Sequence, residues 1–169
     1  MSKHHRRRSK KAGLPPGTLV HIGEQKIDKV SLSVLAYNAD RVIDKPVHLL
    51  EECLPLGPGE PGVNWINVEG LHEVTEIERI GGFLKLHPLT LEDIVNTLQR
   101  PKFEDFGEYQ FLVMKMLSFN GSSHEMQAEQ VSLVFGRNFV VTFQEGAKGD
   151  VFQPVRDRIR NSLSRIRKL

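Results

Sequence analysis

Between Glu108 and Glu145 the chain runs through three strand-like segments in succession, "EYQFLVMKMLSF", "QAEQVSLVFG" and "NFVVTFQE". Turn residues at Asn120-Gly121 and Gly136-Arg137-Asn138 separate them. Segments rich in β-branched and aromatic residues, joined by tight turns, pair with their neighbours as an antiparallel meander. Upstream, "VNWINVEG" sets Val63 and Trp65, with Asn67, on one face and Ile66 and Val68 on the other. A strand that is apolar on both faces belongs inside a sheet covered on both sides.

The remaining segments supply the covers. "KVSLSVLAYN" alternates Val30, Leu32 and Val34 with Ser31 and Ser33, the pattern of a half-buried strand. In "GLPPGTLVHIG" the double proline forces an extended path into a short strand over Thr18–Ile22. "VHLLEECLPL" reads as a short helix stopped by Pro55, and "GPGEPG" as a loop. "HEVTEIERIGGFLKL" spaces Val74, Ile77, Ile80, Phe83 and Leu84 for an amphipathic helix. Its Gly81-Gly82 pair costs about 1 kcal/mol per glycine against alanine, unless it ends one helix before the next. "DVFQPVRDRIRNSLSRIRKL" reads as one closing helix with Val155, Ile159, Leu163 and Ile166 on a stripe. That stripe still runs at Leu169 with no cap, glycine or proline to stop it, so the natural chain is expected to continue. Helices before and after a hairpin-rich middle imply a mixed sheet covered by helices.

At 169 residues a single domain is expected. The lone Cys53 excludes an internal disulfide and suits a reducing cytoplasm. No apolar run approaches a membrane span, and the charged N-terminus has no secretory signal. The net charge of +2 conceals an asymmetry. Residues 1–11 and 156–169 together take twelve of the 23 Lys/Arg and only one acid, Asp157, leaving eleven basic against twenty acidic residues in between, or −9. Such a body repels phosphate backbones and attracts cations. The tail over residues 1–11 reads as disordered and solvated. It could alternatively act as an adaptor for acidic partners, but no aromatic is interleaved for base stacking, so nucleic acid has little support.

The densest stretch is "LHPLTLEDIVNTLQRPKFE", residues 86–104. Pro88 suits a first helical turn and Pro101 ends the helix near Gln99-Arg100. Over residues 89–98, a 100° step puts Leu91, Ile94, Val95 and Leu98 on the packing side. Glu92, Asp93, Asn96 and Thr97 fall opposite, facing solvent or a partner. Acids in an early helical turn are accounted for by the helix dipole, worth about 0.3–1 kcal/mol. The competing reading is that Glu92 and Asp93 offer hard oxygens to Mg²⁺ or Ca²⁺, although two are too few for a strong site. Spacing alone leaves both readings open. His87 reads as a helix-start residue bonding locally and His72 as a loop residue. There is no phosphate loop, nucleophile motif or zinc spacing, so an enzyme is not expected.

"GLPPGTLV" (13–20), "WINVEGLH" (65–72), "LHPLTLEDIVNTLQRPKFE" (86–104), "EQVSLVFGRNFVVTFQE" (129–145) and "GDVFQPVRDRIR" (149–160) stand in the order and spacing of the CorA family of magnesium transporters, which the chain resembles over residues 12–169. The resemblance implies an α/β/α sandwich with a mixed, parallel and antiparallel sheet. It implies a domain on the cytoplasmic side of the cell inner membrane, leading into a stalk helix, two membrane spans and a Gly-Met-Asn pore signature that this sequence does not contain. It implies neighbouring subunits of a homopentamer, with regulatory Mg²⁺ or other divalent cations bound between their cytoplasmic domains. The family's ligands match Glu92, Asp93 and the backbone carbonyl of Leu14. Their opposing aspartates belong to the stalk and to the region just past Leu169, so each site would be half present and weak in the domain alone. A zinc or other divalent transporter of the same superfamily would share this domain, since selectivity is set in the pore.

Overall fold

The computed structural model describes residues 13–57, 59–120, 125–146, 151–161 and 165–167. Seven strands, β1 (Ser31–Tyr37), β2 (Val42–Pro46), β3 (Val63–Glu69), β4 (Lys102–Asp105), β5 (Gln110–Asn120), β6 (Glu125–Phe135) and β7 (Phe139–Gln144), form one sheet in the order β2-β1-β3-β7-β6-β5-β4. The expected meander is β5–β6–β7, with registers such as Val113↔Ser132 and Val134↔Val141. The chain leaves β3 through helices α1 (Val74–Phe83) and α2 (Pro88–Val95) and re-enters at the far edge as β4. It then returns strand by strand until β7 lies parallel to β3, with Ile66 opposite Val141. The other neighbouring strands are antiparallel, so the sheet is mixed.

Strand alternation divides the core in two. Val34 and Ala36 of β1, Ile66 and Val68 of β3, Val141 and Phe143 of β7, and Phe111 and Val113 of β5 pack under Ile77, Ile80, Leu91, Ile94 and Val95 of the two helices. On the opposite face Leu35 and Trp65 meet Ile159 of α3 (Gln153–Arg160), with Phe152, Val155 and Ile166 packed beside them. Trp65 stands edge-on to Phe152 at 5.6 Å. Helices on both faces make this an α/β/α arrangement, as β3's two-sided apolarity requires. Full burial of each Ile or Phe here contributes about 1.5–3 kcal/mol.

Several expectations are corrected in detail. Thr18–Ile22 makes no strand; Ile22 forms a single bridge to Asn96, donating to the Val95 carbonyl. The segment before Pro55 is one 3₁₀ turn, Leu50–Cys53. Gly81-Gly82 lies within α1, whose end is closed by Leu86 N–H to Gly81 O (2.8 Å) and Lys85 N–H to Gly82 O (3.2 Å). This is a Schellman closure with a lysine in the left-handed position, φ 56°. The closing helix stops at Arg160, where Asn161 turns extended. Its Ile166 still packs on the sheet, because Arg167 donates to the carbonyls of Asn38 and Ala39. Leu163, the basic tail of residues 1–11 and the turn at Gly121 lie outside the described residues.

Candidate metal centre

Helix α2 carries both candidate carboxylates and is held at each end. At its start, His87 caps Leu89 N–H through Nδ1 (3.2 Å) and its ring stacks on Phe106, which stacks in turn on Tyr109. The Tyr109 hydroxyl accepts from His87 N–H (2.9 Å) and pairs with the Thr90 hydroxyl (2.9 Å). At its end, the Gln130 amide donates to the carbonyls of Asp93 and Asn96, and the Lys115 ammonium to that of Thr97 (2.6 Å). Burial pushes the Lys115 ammonium's pKa below its usual range, Glu145 opposing and Lys26 reinforcing the shift. Carbonyls at a helix end welcome a cation, and this one is built into the sheet.

The helix ends at Val95, short of the expected end near Gln99-Arg100. Asn96 leaves the helical path, and Thr97 bonds the Ile22 carbonyl through both its N–H and its hydroxyl. Thr97 is therefore buried and Leu98 is 73% exposed, the reverse of the helical projection. Glu92 and Asp93 are half-buried rather than open to solvent.

The two acids diverge. Glu92 accepts the Gly17 N–H at Oε2 (2.7 Å), pinning the turn in which Thr18 bonds back to the Pro15 carbonyl. Gly17 takes φ 82° and lies where a β-carbon would come to 3.3 Å from Pro88, so the turn sits directly on the start of α2. Leu14, Pro15, Pro16, Thr18, Leu89 and Glu92 line a cleft of about 330 Å³ there. Leu14 and Glu92 are thus brought together. Asp93 points elsewhere: Oδ2 lies 2.5 Å from the Lys102 ammonium and Oδ1 accepts from the Gln99 amide. Lys102 also reaches Glu104 Oε2 at 3.0 Å. Burial opposes the charge on Lys102, but the two carboxylates outweigh it and hold its pKa above the usual lysine range.

A family model described as CorA-like Mg²⁺ transporter protein matches residues 60–168. Over 163 residues the chain is 43% identical to the "Cobalt/magnesium transport protein CorA" of Thermotoga maritima, an alignment covering 96% of this chain and 46% of that protein. The chain belongs to the CorA-like Mg²⁺ transporter family. It is also 33% identical over 98 residues to YfjQ of Bacillus subtilis (strain 168), 57% of this chain and 30% of that protein. The structure of the full-length CmaX protein matches with a TM-score of 0.54 at 10% identity, over 85% of this chain and 42% of that one, a likeness of fold. This CorA-like chain spans under half the length of these curated relatives. No helix among the described residues is long and apolar enough to cross a membrane.

The donor set suits a hard divalent ion, since carboxylate and peptide oxygens are what Mg²⁺ takes. Glu92 fits it through the cleft shared with Leu14. Asp93 fits on one condition: its oxygens already have donors from their own chain, and the ammonium at Oδ2 shows that the position favours positive charge. Among the described residues no three His, Cys, Asp or Glu side chains converge on one point. An ion held here would need further oxygens from water or another copy. Sequence patterning missed Lys102, Gln99, Gly17, Tyr109, Lys115 and Gln130, all of which act from outside the helix they position. The closeness of "QRPKFE" to Asp93 in sequence is the signal from which Lys102 could have been found.

Proposed function

We propose that this CorA-like chain is the cation-sensing regulatory domain, on the cytoplasmic side of the membrane, of a homo-oligomeric magnesium channel. The observation that carries the reading is the clamped α2, which holds Glu92 beside Leu14 in one cleft and Asp93, the next residue, against the Lys102 ammonium. Family membership and the −9 charge of residues 12–155 support it. Glu92, Asp93 and the Leu14 carbonyl would hold a divalent cation whose charge and coordination are shared with a neighbouring copy. When the edges of adjacent copies are left negative they repel; two unit charges about 4 Å apart interact by about 4 kcal/mol at an effective dielectric of 20. Neutralised edges favour a closed ring, and repelling edges favour opening. Because coupling is reciprocal, anything that stabilises the closed ring raises its affinity for the cation.

The test is Asp93→Lys in the full-length protein. Inhibition of uptake by Mg²⁺ should move to higher Mg²⁺ or vanish, and inhibition identical to wild type would contradict the reading.

A further inference from the structure

We propose that Lys102 is a tethered counter-ion that competes with divalent cations for Asp93, setting the concentration at which the sensor responds and excluding monovalent ions. The proposal rests on the reading of Asp93 as a regulatory ligand. Its independent support is geometric. Lys102 opens edge strand β4, paired to Val113 of β5, so its backbone is fixed and its ammonium sits at the end of a four-carbon side chain. Its ammonium lies 5.5 Å from the Phe111 ring centroid and is shared between Asp93 (2.5 Å) and Glu104 (3.0 Å), which follows two residues later on the same face of β4.

Three consequences follow from that placement. First, any ion that takes Oδ2 of Asp93 must displace the ammonium, so its affinity falls by whatever the pair is worth. Second, Glu104 retains the displaced ammonium, and no charge is left alone in a half-buried place. A lysine suits this exchange better than an arginine, whose forked guanidinium binds a carboxylate at two points and releases it less readily. Third, a tethered cation acts at a high effective concentration, which for short links lies in the millimolar range or above. A potassium ion brings no more charge than the ammonium it would replace, whereas a dication does. Lys102 therefore acts as a filter on ionic charge. Asp93 also accepts from two neutral amides, that of Gln99 on Oδ1 and that of Gln130 on its carbonyl.

The experiment is a Mg²⁺ titration of the full-length protein, read as protection from limited proteolysis, with ionic strength held constant by choline chloride or KCl. Lys102→Met, whose thioether chain can keep packing on Phe111, should lower the protection midpoint about tenfold, equivalent to about 1.4 kcal/mol. It should also make the midpoint rise when KCl replaces choline chloride, a dependence absent from wild type. Lys102→Arg should stay at or above the wild-type midpoint. Asp93→Asn should raise the midpoint, and adding Lys102→Met to it should change nothing further. If Lys102→Met leaves the midpoint unchanged or raises it while Asp93→Asn shifts it, the competition is refuted and the role of Asp93 stands. If Asp93→Asn matches wild type, the sensor reading itself fails. A purely structural Lys102 would lower the melting temperature without Mg²⁺ and would not tighten the response. Should Lys102→Met fail to fold, Lys102→Gln, which also lacks the charge, carries the same expectations.

Discussion

Two adjacent glycines in α1 should respond to the same substitution with opposite signs. A β-carbon on Gly81 would lie 2.4 and 2.5 Å from the two Leu91 methyls and 3.0 Å from Leu91 Cγ, whereas one on Gly82 meets nothing within 4 Å. Leu91 is buried under α1, so it can make room only by disturbing the core. Alanine recovers about 1 kcal/mol of helix propensity at an interior position and somewhat less near an end. At Gly81 that gain is set against an overpacking cost of about 1–3 kcal/mol. Gly82→Ala should therefore stabilise by about 0.5–1 kcal/mol and Gly81→Ala destabilise by about 1 kcal/mol. For a chain of this size the two melting temperatures should differ by about 4–8 °C. Thermal unfolding followed by circular dichroism reads this directly. In a Leu91→Ala background Gly81→Ala should become neutral or stabilising, since the obstructing atoms are gone. Equal stabilisation by both alanines would refute the claim that Gly81 sets how closely α1 approaches the helix bearing Glu92 and Asp93.

Lys85 pays the strain of a left-handed φ of 56° in the closure of α1, so Lys85→Gly should raise the unfolding free energy by about 1 kcal/mol in urea titration. Thr142 accepts from the indole of Trp65 (3.0 Å) and donates to Asn67 Oδ1 (2.6 Å). Thr142→Val keeps the shape but strands both partners, for a cost of about 2–3 kcal/mol. Trp65 is the single tryptophan, so its emission should report the change. Burial pushes the Cys53 thiol up to about 11, with Glu52 and Glu51 adding to the shift. At pH 8 the thiolate is then about one part in a thousand, and reaction with a disulfide reagent should be far slower than in the denatured chain. The unfolded thiol loses its proton first as pH rises, so this residue withdraws stability between about pH 9 and pH 11 and withdraws none below.

The fold was legible where the pattern was local and strong. The meander could be read from three apolar runs and their turns, and the two-sided cover from "VNWINVEG" alone. Short edge strands were not legible. In β2 only Val42 and Ile43 are apolar before Asp44-Lys45-Pro46, and β4 is "KFED" directly after a proline. Their strand character comes from the neighbours they pair with, Ser33–Tyr37 and Gln110–Val113. Polar edges of this kind resist further pairing, which also makes them weak signals. Helix ends were misjudged for a related reason. Thr97 continues a helical count, but the Ile22 carbonyl takes both its N–H and its hydroxyl; the closing helix ends at Arg160, which pairs with Asp44, because Asn161 turns extended. At the site, the closeness of Glu92 and Asp93 in sequence concealed their divergence. One acid serves a turn 75 residues earlier in the chain, and the other a lysine across Pro101. Both partners are set by tertiary contacts that no helical projection contains.

The central claim is that the edge of α2 supplies oxygens for a divalent cation shared between copies. Its most direct measurement is Mg²⁺-dependent protection from proteolysis in the full-length protein carrying Glu92→Gln and Asp93→Asn together. These changes remove both charges while leaving oxygens that can still accept from Gly17 and Gln99. Protection should be lost at Mg²⁺ concentrations that fully protect wild type, with the melting temperature of the Mg²⁺-free protein little changed. Protection at the wild-type Mg²⁺ midpoint would contradict the account.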